Sequence, residues 1–191
     1  MYAKTYRWLG LAALAVAGVA QAHPGHAEGA LAGLMHPFMG WDHLLAMFAV
    51  GVWAAQLGGR AQWLLPVSFV ACLTVGAGMA TSGLVMPMVE GGIAASVLLL
   101  GVLICMAVAV PSALGAAMVG LFALFHGYAH GMEMPAMSSP WQYAAGFVAA
   151  SMLLHVMGVG FGAALRRRDL WLRAAGAVVL MAGGWMTAGV V

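Results

Sequence analysis

Charge is what this chain has least of. Its 191 residues include 7 Lys and Arg and 5 Asp and Glu, so 6% are charged, against about 25% in an ordinary soluble domain. With 64% hydrophobic residues and a mean hydropathy of +1.00, there is too little polar surface to hydrate a globular domain. The net charge of +2 also excludes a polyanion-binding face, and no nucleic-acid partner is assigned. Cysteine is equally scarce. Cys72 and Cys105 sit in apolar runs without Cys-x-x-Cys spacing, which excludes a disulfide framework or a thiolate zinc site and leaves packing as their use. No Walker-type phosphate loop is present, so nothing points to a nucleotide-driven pump.

Long apolar runs are what the chain does have. Each bilayer crossing needs about 20 apolar residues, and the sequence predicts an all-α fold. The expected architecture is a polytopic membrane helical bundle of six transmembrane helices after an N-terminal signal peptide. Residues 1–22 show the three parts of a secretory signal: Lys4 and Arg7, an apolar stretch from Trp8 to Ala20, and Ala20-Gln21-Ala22 at a small-x-small cleavage site. Residues 23–32 read as a turn-forming periplasmic leader containing His23, His26 and Glu28, able to chelate a metal through imidazole and amine nitrogen. Residues 33–191 form the membrane domain, whose first span is expected to run unbroken from about Gly33 to Leu57. A secreted N-terminus puts the loops with Arg60 and with Arg166 to Arg173 in the cytoplasm and those with Glu90 and Glu133 outside, as the positive-inside rule requires. Both mature termini are then periplasmic.

Against this apolar background, ionisable side chains are costly and demand a reason. His126, His130 and Glu133 follow i, i+4 and i+7, one stripe of a helix. Near the start of the mature chain, His36-Pro-Phe-Met-Gly-Trp-Asp42-His43 repeats the same chemistry. His36, Met39, His43 and Met47 are expected to share one continuous helical face. In the predicted topology both clusters lie toward the periplasmic side and meet at similar depth, so they read as halves of one divalent-metal site. Intramembrane histidines also serve as interhelical hydrogen-bond partners. Two clusters at one depth, each with a carboxylate, favour metal handling. Asp42 fits either of two roles, direct ligand or acceptor that orients an imidazole. His155 stands alone deeper in the fifth span, as a second station inward or as a structural residue. Glycines in the spans permit close helix approach, and Trp63, Trp141 and Trp171 read as interface anchors.

The motifs His36-Pro-x-x-Gly40-x-Asp42-His43 and Phe125-His126-Gly-x-Ala129-His130-Gly-x-Glu133-x-Pro135 make essentially the whole mature chain resemble the HupE/UreJ family of hydrogenase and urease accessory proteins. The resemblance implies a permease and not an enzyme: uptake of Ni²⁺, or Co²⁺, across the bacterial inner membrane, supplying hydrogenase and urease metallocentre assembly in the cytosol. It places the metal-associated positions at His36, Asp42, His43, His126, His130 and Glu133, with His23, His26 and His155 as further candidates from the residue reading. No prosthetic group is implied; the partners are the transported ion, the lipid bilayer and, functionally, the nickel-delivery proteins. Two rival readings use the same side chains, an intramembrane zinc-dependent hydrolase and a membrane protein carrying a bis-His haem.

Overall fold

The computed structural model describes residues 26–136 and 138–190, and the expected signal peptide and His23 lie outside them. Among the described residues every regular element is a helix: α1 (His26–Met39), α2 (Trp41–Leu57), α3 (Ala61–Thr81), α4 (Val89–Cys105), α5 (Ser112–Met132), α6 (Pro140–Leu165) and α7 (Asp169–Val190). By length and composition α3, α5, α6 and α7 are able to cross a membrane, and α1 with α2 adds a fifth span if the bent pair counts as one. The remaining expected span, third in chain order, falls on α4, which has only 17 residues. Met88 precedes it in the left-handed region (φ 55°), and Ala107 (φ 51°) turns the chain away just after it ends at Cys105. The chain then runs without helix through Val110 to Pro111, the N-cap residue of α5.

The first span is not continuous, which corrects the expectation of one unbroken face carrying His36, Met39, His43 and Met47. α1 and α2 meet at 82° around Gly40. Pro37 lacks an N–H, and Gly40 adopts an extended conformation (φ −108°, ψ 120°) as the N-cap of α2. A Cβ at Gly40 would lie 2.6 Å from Asp42 Oδ1, so a side chain there would displace the Asp42 carboxylate from its place against His43. The chain also becomes helical earlier than expected. Residues 26–32, read as a turn-forming leader, open α1, in keeping with the helix-favouring Ala27, Glu28, Ala30, Leu31 and Ala32.

α2 is the buried centre. Ala46, Met47, Ala49, Val50, Trp53 and Ala54 are all inaccessible, as befits a helix apolar on every side. It packs on α6, α4 and α3, and the Trp53 indole N–H and Gln56 side-chain N–H donate to the carbonyls of Val108 and Ile104 at the end of α4 (both 3.2 Å). The tightest pair is α3 with α5. A Cβ at Gly127 would fall on the Leu73 carbonyl oxygen, so this glycine, next to His126, brings the two backbones into contact. Outward, Val67, Val75, Leu121, Val156 and Met181 are exposed, an apolar exterior suited to lipid. Trp63, Trp141 and Trp171 are exposed in the first turns of α3, α6 and α7, where interface anchors belong.

Candidate functional site

Three elements deliver four imidazoles to one place. The corner at Gly40 swings His36 on α1 back toward His43 on α2, and α5 supplies His126 and His130 from one stripe. Ring centroids lie 4.8 Å apart for His43 and His126, 4.6 Å for His43 and His130, 4.8 Å for His36 and His130, and 6.3 Å for His36 and His43. His126 and His130 are fully buried and His43 nearly so. Phe147 stacks flat on His130 at 5.0 Å, and Tyr143 edges against His36.

Each ring's partner tells which nitrogen holds its hydrogen. Asp42 Oδ1 accepts both the His43 backbone N–H (2.7 Å) and its Nδ1–H (2.8 Å), which leaves the lone pair on Nε2. Asp42 therefore acts on the cluster through His43, as an orienting acceptor. Glu133, the C-cap residue of α5, reaches across to His36 Nε2 at 2.7 Å, so His36 retains its lone pair on Nδ1. Among the described residues no hydrogen-bond partner meets His43 Nε2, His126 Nδ1 or either nitrogen of His130, although all four atoms are buried. Unpaired buried polar atoms cost about 1–3 kcal/mol each, and four at one spot are not accounted for by helix-joining hydrogen bonds. Among the described residues no group of three His, Cys, Asp or Glu side chains stands in a geometry that could hold a metal ion.

His155 is placed apart from the four. Its Nδ1–H donates to the Ser151 carbonyl (2.6 Å), its Nε2 has no partner among the described residues, and the Phe69 ring packs against both it and His126, with ring centroids 4.9 and 5.7 Å away. His26 is the first residue of α1.

Three participants escaped the sequence reading. Glu90, taken there as a loop charge, sits in the first turn of α4 and lines an outer cavity of about 220 Å³ together with His36, Met39, Gly40, Asp42, His43 and Glu133. Three of the chain's five carboxylates thus face one mouth. Their scarcity was the available signal, since each Asp or Glu in so apolar a chain merits a search for its partner. Ser96, wholly buried on α4, meets His126 Nε2 at 2.9 Å, and Phe69 has already been placed. Nothing in the spacing of either residue distinguishes it from ordinary packing.

Chemically, a mouth lined with carboxylates that opens on buried imidazoles has the donor types able to attract a cation and to replace its water with nitrogen. A family model described as HupE / UreJ protein matches residues 11–186. The chain is also 48% identical over 183 residues to "Protein HupE" of Rhizobium leguminosarum bv. viciae, covering 94% of this chain and 95% of that relative. No solved structure matches. The chain belongs to the HupE/UreJ family of hydrogenase and urease accessory proteins, which are not enzymes.

Proposed function

We propose that this protein admits Ni²⁺, with Co²⁺ as the second candidate, through the bacterial inner membrane for use in hydrogenase or urease metallocentres. The observation that carries the reading is the group of buried, unpartnered imidazole nitrogens on His43, His126 and His130, set behind the carboxylates Asp42, Glu90 and Glu133. The hydrated ion is drawn to the outer cavity, passes the His36–Glu133 pair and takes imidazole nitrogens in place of water as the rings turn about their Cβ–Cγ bonds. His155, one phenyl ring further along, is the next nitrogen inward. In this reading residues 1–22 are a cleaved signal, and His23 and His26 form a metal-collecting leader. Six crossings follow, with α1 and α2 as the first and the short α4 as the third, and both mature termini are periplasmic.

The membrane potential supplies sufficient drive. About 100 mV is worth about 2.3 kcal/mol per elementary charge, hence about 4.6 kcal/mol for a dication moving inward. The hydrolase alternative fails with the family assignment. The haem alternative fails on space, because rings 4.8 and 4.6 Å from His43 leave no slot for a macrocycle between His43 and either partner. The test is radioactive nickel uptake into cells making the intact chain, His43→Ala or His130→Ala, with membrane content of each protein measured in parallel. Uptake should drop at least about 10-fold in both variants at equal protein content, by the usual cost of disturbing a histidine metal site. Uptake at the level of the intact chain would overturn the proposal.

A further inference from the structure

Of the two inner members of the cluster, His126 is the one whose hydrogen is assigned by a neutral side chain on a different helix. Ser96 on α4 is inaccessible, and its Oγ lies 2.6 Å from the carbonyl oxygen of Ile93 and 2.9 Å from His126 Nε2. A carbonyl oxygen can only accept, so a contact of 2.6 Å requires the hydroxyl hydrogen to lie there. Oγ is then left as an acceptor, and the hydrogen between it and His126 belongs to the ring. His126 carries its hydrogen on Nε2 and its lone pair on Nδ1, the atom that is buried without a partner among the described residues.

The neighbouring ring is set the other way. Asp42 holds the His43 hydrogen on Nδ1, leaving the lone pair on Nε2. Two adjoining rings 4.8 Å apart and nearly perpendicular (86°) therefore offer opposite nitrogens, each free of competition from its own hydrogen bond. Reversing either tautomer would put a hydrogen on the donor atom and remove it from use. A neutral imidazole has only a modest intrinsic preference, for the Nε2–H form, so the Asp42 acceptor overrides it in His43 and the Ser96 acceptor fixes it in His126.

We propose that Ser96 is a positioning residue of the ion site: by giving its own hydrogen to the Ile93 carbonyl, it holds His126 as the Nε2–H tautomer and presents Nδ1 to the cation. The presenting role rests on the cluster being the ion site, whereas the tautomer assignment does not. The experiment uses the full chain with ring-¹⁵N histidine, in lipid nanodiscs and free of metal. The His126 signals are assigned by their loss in His126→Gln. In the intact chain, the ¹⁵N–¹H correlation should show His126 protonated at Nε2 alone. Ser96→Ala should give a mixed or reversed tautomer and a Ni²⁺ affinity about 10–100-fold lower by calorimetric titration, the usual cost of losing a histidine's outer partner. Ser96→Thr, which keeps the hydroxyl, should restore both. Where Ser96→Ala does not fold, Ser96→Cys, of similar size and a weaker acceptor, takes its place. Protonation at Nδ1 in the intact chain, or an unchanged tautomer and affinity in Ser96→Ala, would overturn the proposal. Failure of the intact chain to bind Ni²⁺ would overturn the ion-site reading and the presenting role with it, an outcome separable from the metal-free tautomer result.

Discussion

Replacing Asp42 separates its charge from its geometry. Asp42→Asn removes the negative charge but keeps an oxygen able to accept the His43 backbone N–H and Nδ1–H, now at 2.7 and 2.8 Å. Adding the width of the imidazole and a metal–nitrogen bond of about 2.1 Å, an ion on Nε2 would lie about 7 Å from that oxygen. A dication and a unit charge at about 7 Å attract by about 5 kcal/mol at an effective dielectric of 20 and about 1 kcal/mol in water. The Asp42 side chain is 28% exposed, which favours the lower part of that range. The expected loss of Ni²⁺ affinity is about 10–100-fold, in line with other carboxylates behind ligating histidines. Stability should change by less than about 1 kcal/mol, because both hydrogen bonds survive. Asp42→Ala should lose at least as much affinity and also about 1–3 kcal/mol of stability, because a nearly buried Nδ1–H is stranded. Calorimetric Ni²⁺ titration and denaturant or thermal unfolding of the purified protein in nanodiscs measure the two quantities. An Asn variant with the affinity of the intact chain, or an Ala variant as stable as the Asn variant, would refute the reasoning.

Glu133→Gln should reduce nickel uptake several-fold with little change in melting temperature. The His36–Glu133 pair is partly exposed (24% and 55%), and such pairs contribute about 0–1 kcal/mol to stability. Gly127→Ala should destabilise the protein by about 1–3 kcal/mol, since its methyl would meet the Leu73 backbone and force α3 from α5. Gly160→Ala, at a position facing open space, should be neutral or up to about 1 kcal/mol stabilising, and thermal melts of the two variants provide the comparison. Uptake at fixed membrane potential should decline on acidification, because protonation consumes the imidazole lone pair a cation needs. Uptake rising steadily with acidity would contradict nitrogen ligation.

Much of the site was readable from composition. In so apolar a chain His36, Asp42, His43, His126, His130 and Glu133 stand out individually, and the i, i+4 spacing of His126 and His130 places both rings on one stripe without any knowledge of the fold. The continuous face through His36 and His43 was wrong for a local reason. Helical spacing assumes an unbroken helix, and the Pro37 and Gly40 that break it were visible but read as part of a motif rather than as a corner. α4 ends at Cys105 although apolar character continues past it, the turn at Ala107 being a matter of conformation that hydropathy does not register.

The sequence by itself determined the solvent, the helical class and the short roster of groups able to do chemistry, since these follow from counting polar atoms against apolar ones and from the period of the helix. Only the tertiary structure decided which helices touch, and therefore that His43 from α2 lies between His36 and His126, that Glu90 joins the outer mouth and that Ser96 meets His126. The physical reason is that a hydrogen bond acts over about 3 Å, whereas 30 residues of chain separate Ser96 from His126. Helical periodicity carries no information on such a distance; between α4 and α5 it is set by close approach at Gly92, where a Cβ would meet the Phe125 ring.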